Sequence, residues 1–150
     1  GCYVHGNEPS HHVAYMYNWA DKPWKTQERI HQIITTMYLN KPDGLCGNDD
    51  CGQMSAWYIF SSLGFYPVCP GSGQYAIGTP SVKEGKLQLK DGKVLTVKAN
   101  NLTDKNIYIQ SVKLNGKPVN TTILTNAELN QGGELVFEMS GKPNKKWGVK

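Results

Sequence analysis

Residues 64–73 have the sequence GFYPVCPGSG, and the hydrophobic pattern of the chain differs on either side of them. Before this segment, apolar residues recur every three or four positions, which is typical of amphipathic helices. After it, apolar and polar residues alternate, which is typical of strands with one buried face. Because the segment itself is rich in proline and glycine, it indicates a junction between a helical region and a strand region.

Three helices are predicted before this junction. The first follows Pro9 and Ser10, the second extends over about Pro23–Leu39, and the third over about Gly52–Leu63. Gly64 suits the left-handed residue that often ends a helix. These predictions rest on side chains at helical spacing: His12, Tyr15, Met16 and Trp19, then Ile30, Ile33, Ile34, Met37 and Tyr38, and finally Met54, Trp57, Tyr58 and Phe60.

From Tyr75 onward, the alternation predicts about six to eight short strands. The dipeptides Asp91-Gly92 and Asn115-Gly116 lie between alternating runs, where such pairs strongly indicate β-hairpins. Helices followed by strands, without alternation between them, argue against a doubly wound sheet. We therefore predict an α+β fold, with helices in residues 1–70 and an antiparallel, sandwich-like β region in residues 71–150.

The chain has 150 residues, of which 39% are hydrophobic, enough for an ordinary globular core. Its net charge of +4 is uneven, because residues 1–70 carry four basic and six acidic side chains, and residues 71–150 carry twelve and six. The lysines of the second half occur singly within alternating runs, which favours solvated strand faces over a nucleic-acid surface. No run approaches the roughly 18 apolar residues that cross a bilayer, so no membrane span is predicted.

Four cysteines all lie in the first half, and their spacing matches no zinc site. Disulfides between Cys46 and Cys51 or between Cys51 and Cys69 are two alternatives, and free buried thiols are a third. The state of these residues and of Cys2 stays open at this point.

Two loops that lead into predicted helices are rich in polar groups. They are HGNEPSHH at residues 5–12 and GNDDCGQ at residues 47–53. Loops next to helix N-termini often position catalytic groups on a rigid scaffold. For His11 and His12, packing or surface roles are favoured over metal binding.

Helix capping is the simplest role for single members of these loops. Asn7 or Ser10 suits the first helix, and Asp49 or Asp50 suits the third. A cap requires one oxygen, however, whereas the two loops together supply several carboxylate and amide oxygens. Calcium prefers such ligands, and the spacing is not that of an EF-hand loop. A calcium site would therefore draw on both loops.

Both loops, in this order, resemble signatures of glycoside hydrolase family 92. The first signature continues into YMYN at residues 15–18, and the second continues through MSAWY at residues 54–58 into GFYPV at residues 64–68. The resemblance implies that residues 1–70 are helices of an (α/α)6 toroid. It also implies an exo-acting, inverting α-mannosidase that uses calcium and acts on N-glycans or mannan.

By the family pattern, Asp50 is the general base, and Asn7, Glu8 and Asp50 lie at the calcium ion. Inversion requires a second carboxyl group, the general acid, roughly 6.5–9.5 Å from the base. Three further residues are implied to contact the mannose: His5, Asn48 and Gln53.

Two departures from the family pattern limit what the resemblance implies. Many relatives have Gly-Asp-Glu-Asp where this chain has GNDD at residues 47–50, so the amide of Asn48 replaces an acid. The family's general acid belongs to a segment upstream of Gly1. We therefore expect the start of the natural protein to lie upstream, its upstream part to be a necessary partner, and residues 1–150 alone to be inactive. The resemblance also implies secretion by a bacterium, into the periplasm or the medium.

Two other functions are consistent with the pattern, a carbohydrate-binding module and a structural cap. A module would stack glycan on the aromatic residues of the strand region, and these are few: Tyr75, Tyr108, Phe137 and Trp147. Two of them fall within apolar runs, which disfavours this role. A separate expectation is an apolar patch that promotes self-association, formed by several tyrosines with Trp19, Trp24 and Trp57.

Overall fold

In a computed structural model that describes residues 3–149, helices precede strands, and the α+β prediction is confirmed. Helices α1 (Pro23–Met37) and α2 (Gln53–Ser62) come first, and the one-turn helix α3 (Asn126–Leu129) lies between the last two strands. The strands are β1 Phe65–Cys69, β2 Gln74–Ile77, β3 Glu84–Gln88, β4 Val94–Asn100, β5 Tyr108–Leu114, β6 Lys117–Pro118, β7 Ile123–Thr125 and β8 Gly133–Ser140. A division into domains at residue 70 stays a prediction.

Local sequence explains both long helices. Helix α1 begins with Pro23, whose fixed φ suits the first turn, and it ends where Tyr38 becomes extended and pairs with Leu45. Helix α2 ends two residues before Gly64, which has a φ of +93° as a left-handed cap requires. A Cβ atom at Gly64 would lie 2.9 Å from the ring of Phe137, so a glycine is also needed for the approach of β8.

The first predicted helix is wrong in type, because the structure has 3-10 helices at Glu8–Ser10 and Val13–Ala20. With three residues per turn, Tyr15 and Asn18 share a face, and both are buried. Asp21 follows with a φ of 53°, which ends the segment before a full α-helix can form. Three large apolar side chains of the segment are about half exposed: Val13, Met16 and Trp19.

The strands form two sheets. The smaller sheet has the order β1-β2-β7, and the larger has the order β3-β4-β8-β5-β6. Both predicted hairpins are confirmed, since β3 and β4 are antiparallel neighbours, as are β5 and β6, and Asn115 and Gly116 have φ values of 50° and 78°. All pairings are antiparallel except that of β4 with β8, which is parallel. The alternation of apolar residues predicts strands but not their order, so the parallel pair was not predicted.

The smaller sheet lies between two hydrophobic cores. Successive residues of a strand point to opposite faces, so Phe65 contributes to the core of the strand region while Tyr66 contributes to the core of the helices. Ile77 and Ala76 divide in the same way on β2. Since one sheet contributes to both cores, a displacement of the helices would disturb the strand region as well.

Hydrogen bonds join the helices directly to the larger sheet. The side-chain oxygen of Gln27, on α1, accepts from the backbone nitrogen of Ile109 at 3.0 Å, and both residues are buried. The Tyr108 hydroxyl donates to the Glu28 carboxylate at 2.9 Å. These contacts fix α1 against β5.

The aromatic residues of the strand region serve internal packing. Phe137 and Trp147 are buried, and the Trp147 indole donates to the Val119 carbonyl at 2.9 Å. Tyr75 packs edge to face on Phe65 at 5.7 Å between ring centroids. These contacts disfavour the carbohydrate-binding module that stacks glycan on them.

One expectation about a single side chain is wrong, and for the cysteines only the absence of a disulfide agrees with one of the alternatives left open. Trp57 is fully buried and therefore does not contribute to an apolar surface patch. Cys46, Cys51 and Cys69 are free but exposed, because all three lie in loops or at a strand end and not in a core. Cys2 lies outside the described residues.

Within residues 3–149, no helix is long and apolar enough to cross a membrane.

Candidate active site

The two polar loops meet backbone to backbone at a pair of glycines. A Cβ atom added to Gly47 would lie 2.7 Å from the Gly6 Cα, and one added to Gly6 would lie 2.9 Å from the Gly47 Cα. No side chain can be inserted at this distance without moving a backbone. The loop at residues 5–12 is therefore in contact with the loop at residues 47–53, although about 40 residues separate them in the chain.

A directed chain of hydrogen bonds fixes the start of the first loop. The Tyr38 hydroxyl donates to the Met54 carbonyl at 3.0 Å, so its oxygen accepts from Nε2 of His5 at 2.7 Å. Nδ1 of His5 then accepts from the Tyr3 hydroxyl at 2.7 Å. This arrangement requires a neutral His5, and burial lowers the pKa of that imidazole to about 4.

His5, predicted to contact mannose, is enclosed by aromatic rings. Its ring is 2% exposed and lies 4.4 Å from the Trp57 ring, edge to face, and 4.8 Å from the His11 ring. Both of its nitrogens already have tyrosine partners. In this structure His5 is therefore part of the scaffold, hydrogen-bonded to Tyr3 and Tyr38. Its contact with a sugar stays a prediction.

Gln53, the first residue of α2, links both loops to the helical core. Its amide nitrogen lies 3.1 Å from Nδ1 of His11 and 3.0 Å from the Tyr66 hydroxyl. Nε2 of His11 lies 2.9 Å from the His5 carbonyl, and the Trp57 indole donates to the His11 carbonyl at 3.0 Å. The preference for a packing role at His11 is therefore confirmed. Because the Gln53 nitrogen makes both contacts, its side-chain oxygen stays available for the predicted contact with a ligand.

The carboxyl groups of Glu8 and Asp50 lie within hydrogen-bonding range of each other. This contact lowers the pKa of Glu8 below its ordinary value and raises the pKa of Asp50 above its own. Oε1 of Glu8 is shielded from solvent and has no hydrogen-bond partner among the described residues. Two adjacent carboxyls with an unpartnered oxygen are typical of a site that holds a cation or a proton.

The turn that presents Asp50 has an uncommon backbone. Asp50, Cys51 and Gly52 have φ values of 46°, 60° and 88°, so three successive residues are left-handed. For a residue with a side chain, this conformation costs on the order of 1 kcal/mol, and it is concentrated at functional sites. The Asp50 side chain is exposed there, pointing away from the α2 core and toward Glu8.

Asp49 and not Asp50 binds the first turn of α2, whose N-cap residue is Gly52. The Asp49 carboxylate accepts from the backbone nitrogen of Ser55 at 2.9 Å and from the Ser55 hydroxyl at 2.9 Å. The sequence predicts that Asp49 or Asp50 binds the start of this helix, and Asp49 does so. The Asp50 carboxylate is therefore not used for this purpose.

The two predicted amide ligands are exposed. The Asn7 nitrogen donates to the Ser10 hydroxyl at 3.3 Å, which leaves its oxygen free, and Asn7 makes no side-chain cap of the helix that follows. Asn48 is exposed, and its side chain has no hydrogen-bond partner within residues 3–149.

Calcium binds six to eight oxygen ligands in proteins. Asn7, Glu8 and Asp50 supply oxygens of the right kind, and Oε1 of Glu8 has no hydrogen-bond partner among the described residues. Within the described part of the chain, no group of three or more His, Cys, Asp and Glu side chains is arranged to hold a metal ion. The residues present therefore fit part of a calcium site that needs further oxygens from amides, water, sugar hydroxyls or other protein segments.

Two of the grooves formed by residues 3–149 are of similar size, and neither is lined by Glu8 or Asp50. One of about 520 Å³ lies between the 3-10 segment and α1, with Tyr3, Tyr17 and Ile33 among its walls. The other, of about 550 Å³, lies beside Tyr38 and Tyr58.

Sequence reasoning missed Tyr3, Tyr38 and the glycine pair. The tyrosines act through His5, which lies far from Tyr38 in the chain, so no local pattern indicates their contact. Gly6 and Gly47 were visible as a glycine inside each polar loop, and close backbone approach is one reason for such glycines.

The loops that carry these carboxyl groups lie next to helix N-termini, and comparison with known proteins gives the family of the chain. Residues 1–141 match the glycosyl hydrolase family 92 catalytic domain, so the chain belongs to glycosyl hydrolase family 92. An α-mannosidase of this family from Bacteroides thetaiotaomicron, also solved in complex with mannoimidazole, is 48% identical over 100% of this chain and 20% of its own, with a TM-score of 0.96.

Two further relatives are also described as glycosidases. A family GH92 inverting mannosidase from Bacteroides thetaiotaomicron is 43% identical over 100% of this chain and 20% of its own, with a TM-score of 0.92. An uncharacterized secreted glycosidase from Arthroderma benhamiae is 32% identical over 147 residues, which are 96% of this chain and 19% of that protein. The chain thus spans about a fifth of the length of its relatives.

Proposed function

We propose that this chain is the C-terminal portion of a longer, secreted α-mannosidase, in which it supplies the general base and part of a calcium site. The supporting observation is the pair of carboxyls, Glu8 and Asp50, which two loops bring together from distant parts of the sequence. Membership of family 92 and the mannosidases among its relatives support the substrate class, terminal α-linked mannose of N-glycans or mannan. A bacterial periplasm or medium is the proposed location.

Asp50 is the proposed base of an inverting reaction. Its exposed carboxylate, on the strained turn before α2, takes a proton from the water that attacks the anomeric carbon. The general acid stands across the sugar, roughly 6.5–9.5 Å away, and belongs to another part of the polypeptide. A base must be ionised, and Glu8 opposes this by raising the pKa of Asp50. A positive charge beside the pair removes that opposition.

Asn7, Glu8 and Asp50 would hold the calcium ion through their side-chain oxygens. Calcium supplies positive charge and binding sites for sugar hydroxyls when it is present. The Asn48 amide and the free oxygen of Gln53 lie on the same loop as Asp50 and are proposed to bind sugar hydroxyls. Any contribution of His5 to sugar binding requires Tyr3 to give up its hydrogen bond.

Three assays test this proposal. The complete polypeptide is expected to hydrolyse a nitrophenyl α-mannoside, to lose activity in EGTA and to regain it with Ca²⁺. Proton NMR is expected to show β-mannose as the first product, because inversion changes the anomer. The 150-residue chain, assayed in parallel with Ca²⁺, is expected to be inactive since it lacks the acid. Full activity after complete removal of calcium, α-mannose as first product, or turnover by the short chain would contradict it.

A further inference from the structure

In the turn that presents Asp50, the Gly52 carbonyl accepts from the Ala56 nitrogen at 2.8 Å, but the hydrogen bonds at Asp49 and Asp50 are longer. Gln53 donates its backbone N–H to the Asp50 carbonyl at 3.3 Å, and Met54 donates to the Asp49 carbonyl at 3.3 Å, both at the long end of hydrogen-bond distances. No atom lies within 4 Å of a Cβ built on Gly52, so packing does not restrain that side of the turn. A left-handed turn without other restraints relaxes toward ordinary backbone angles.

Asp49 supplies the missing restraint. Its carboxylate spans the turn and accepts two hydrogen bonds from Ser55, one from the backbone nitrogen and one from the hydroxyl, each at 2.9 Å. Both oxygens of the carboxylate are used, so the side chain cannot rotate without losing a bond. Because Asp49 directly precedes the three left-handed residues and Ser55 lies in α2, this contact bridges the turn that carries Asp50.

We propose that Asp49 is a positioning residue for Asp50: by binding Ser55 with both oxygens, it holds the left-handed turn in the conformation that places the base beside Glu8. This inference rests on the proposed function, in which Asp50 is the base. It goes beyond that proposal because Asp49 touches neither substrate nor metal in this role. A helix cap without this role would stabilise α2 but leave the chemical step unchanged.

The test compares variants of the complete polypeptide. Asp49→Ala is expected to lower kcat by about 10- to 100-fold with KM changed less than about threefold, because a misplaced base slows the reaction more than it weakens binding. Ser55→Ala, which keeps the backbone nitrogen but removes the hydroxyl, is expected to give a smaller fall in kcat. Asp49→Asn, which keeps an acceptor for the Ser55 N–H and a donor for its hydroxyl, is expected to restore most of the activity.

Glu128→Ala is the matched control. The Glu128 carboxylate likewise accepts from a backbone nitrogen and a hydroxyl of one residue, Thr125, at 2.7 and 2.6 Å, at the start of α3 in the strand region. Its loss is expected to lower the melting temperature as much as Asp49→Ala does and to leave kcat unchanged. Equal kcat in the Asp49→Ala and Glu128→Ala variants would overturn the inference.

A double variant distinguishes the two proposals. If Asp49 acts through Asp50, adding Asp49→Ala to Asp50→Asn is expected to reduce kcat less than about twofold further. A further fall of about tenfold would show that Asp49 acts independently and would overturn the inference alone. Full activity of Asp50→Asn would instead overturn the proposed function, and the inference with it. If Asp49→Ala fails to fold, the same comparison is made with Ser55→Ala.

Discussion

Replacing Asp50 by asparagine in the complete polypeptide is expected to lower kcat by roughly 10²- to 10⁴-fold, the usual contribution of a general base. The amide keeps the size and the left-handed preference of the residue, so the turn before α2 is retained. What is lost is the ability to accept a proton from water. Steady-state kinetics on a nitrophenyl α-mannoside, with saturating Ca²⁺, measure the effect.

Asp43→Asn is the control for Asp50→Asn. Asp43 also lies in the segment between α1 and α2, but its side chain is 81% exposed and pairs only with Lys41, at 3.2 Å. An exposed pair of this kind contributes little, so activity is expected to be unchanged. If the two variants were equally active, Asp50 would not be the base.

Gly47→Ala is expected to lower kcat/KM by roughly 10²-fold, because a displacement of about 1 Å in a catalytic group is enough for such a loss. The added Cβ would lie 2.7 Å from the Gly6 Cα, so one loop must move away from the other. That movement separates Glu8 from Asp50. The affinity for Ca²⁺, measured by titration calorimetry, is expected to fall together with the activity.

Gly71→Ala is the matched control for Gly47→Ala. Gly71 lies in the junction before β2, and a Cβ atom there meets nothing within 4 Å. Its substitution is expected to leave both kcat/KM and Ca²⁺ affinity unchanged. Normal activity of Gly47→Ala would show that the contact between the loops is not needed for the site.

The parts of the fold that local chemistry determines were predictable. Pro23 begins α1, and Gly64 follows the end of α2. Asn115 and Gly116 form a hairpin turn, for which the positive φ values of both residues are needed. The 3-10 segment was not predictable in type, because Tyr15 has the spacing of an α-helical face as well as of a tighter helix. The parallel pairing of β4 with β8 depends on contacts between strands more than 30 residues apart, which alternation does not encode.

The candidate site was predictable in position but not in detail. Each polar loop contained more oxygen ligands than a cap requires, and this excess indicated a shared site. The sequence did not distinguish the capping aspartate from the free one, because Asp49 and Asp50 are adjacent and chemically equal. Their difference arises from the left-handed turn, which turns Asp49 toward Ser55 and Asp50 toward Glu8.

The proposed chemistry depends on a cation held beside the Glu8 and Asp50 carboxyls by the two touching loops. A crystal structure of the complete polypeptide, grown with Ca²⁺ and a mannose-like inhibitor, measures this arrangement. We expect a calcium ion about 2.3–2.6 Å from Oε1 of Glu8, with Asp50 near the water that attacks the sugar. A calcium ion bound elsewhere, or a structure in which Gly6 and Gly47 are no longer in contact, would contradict it.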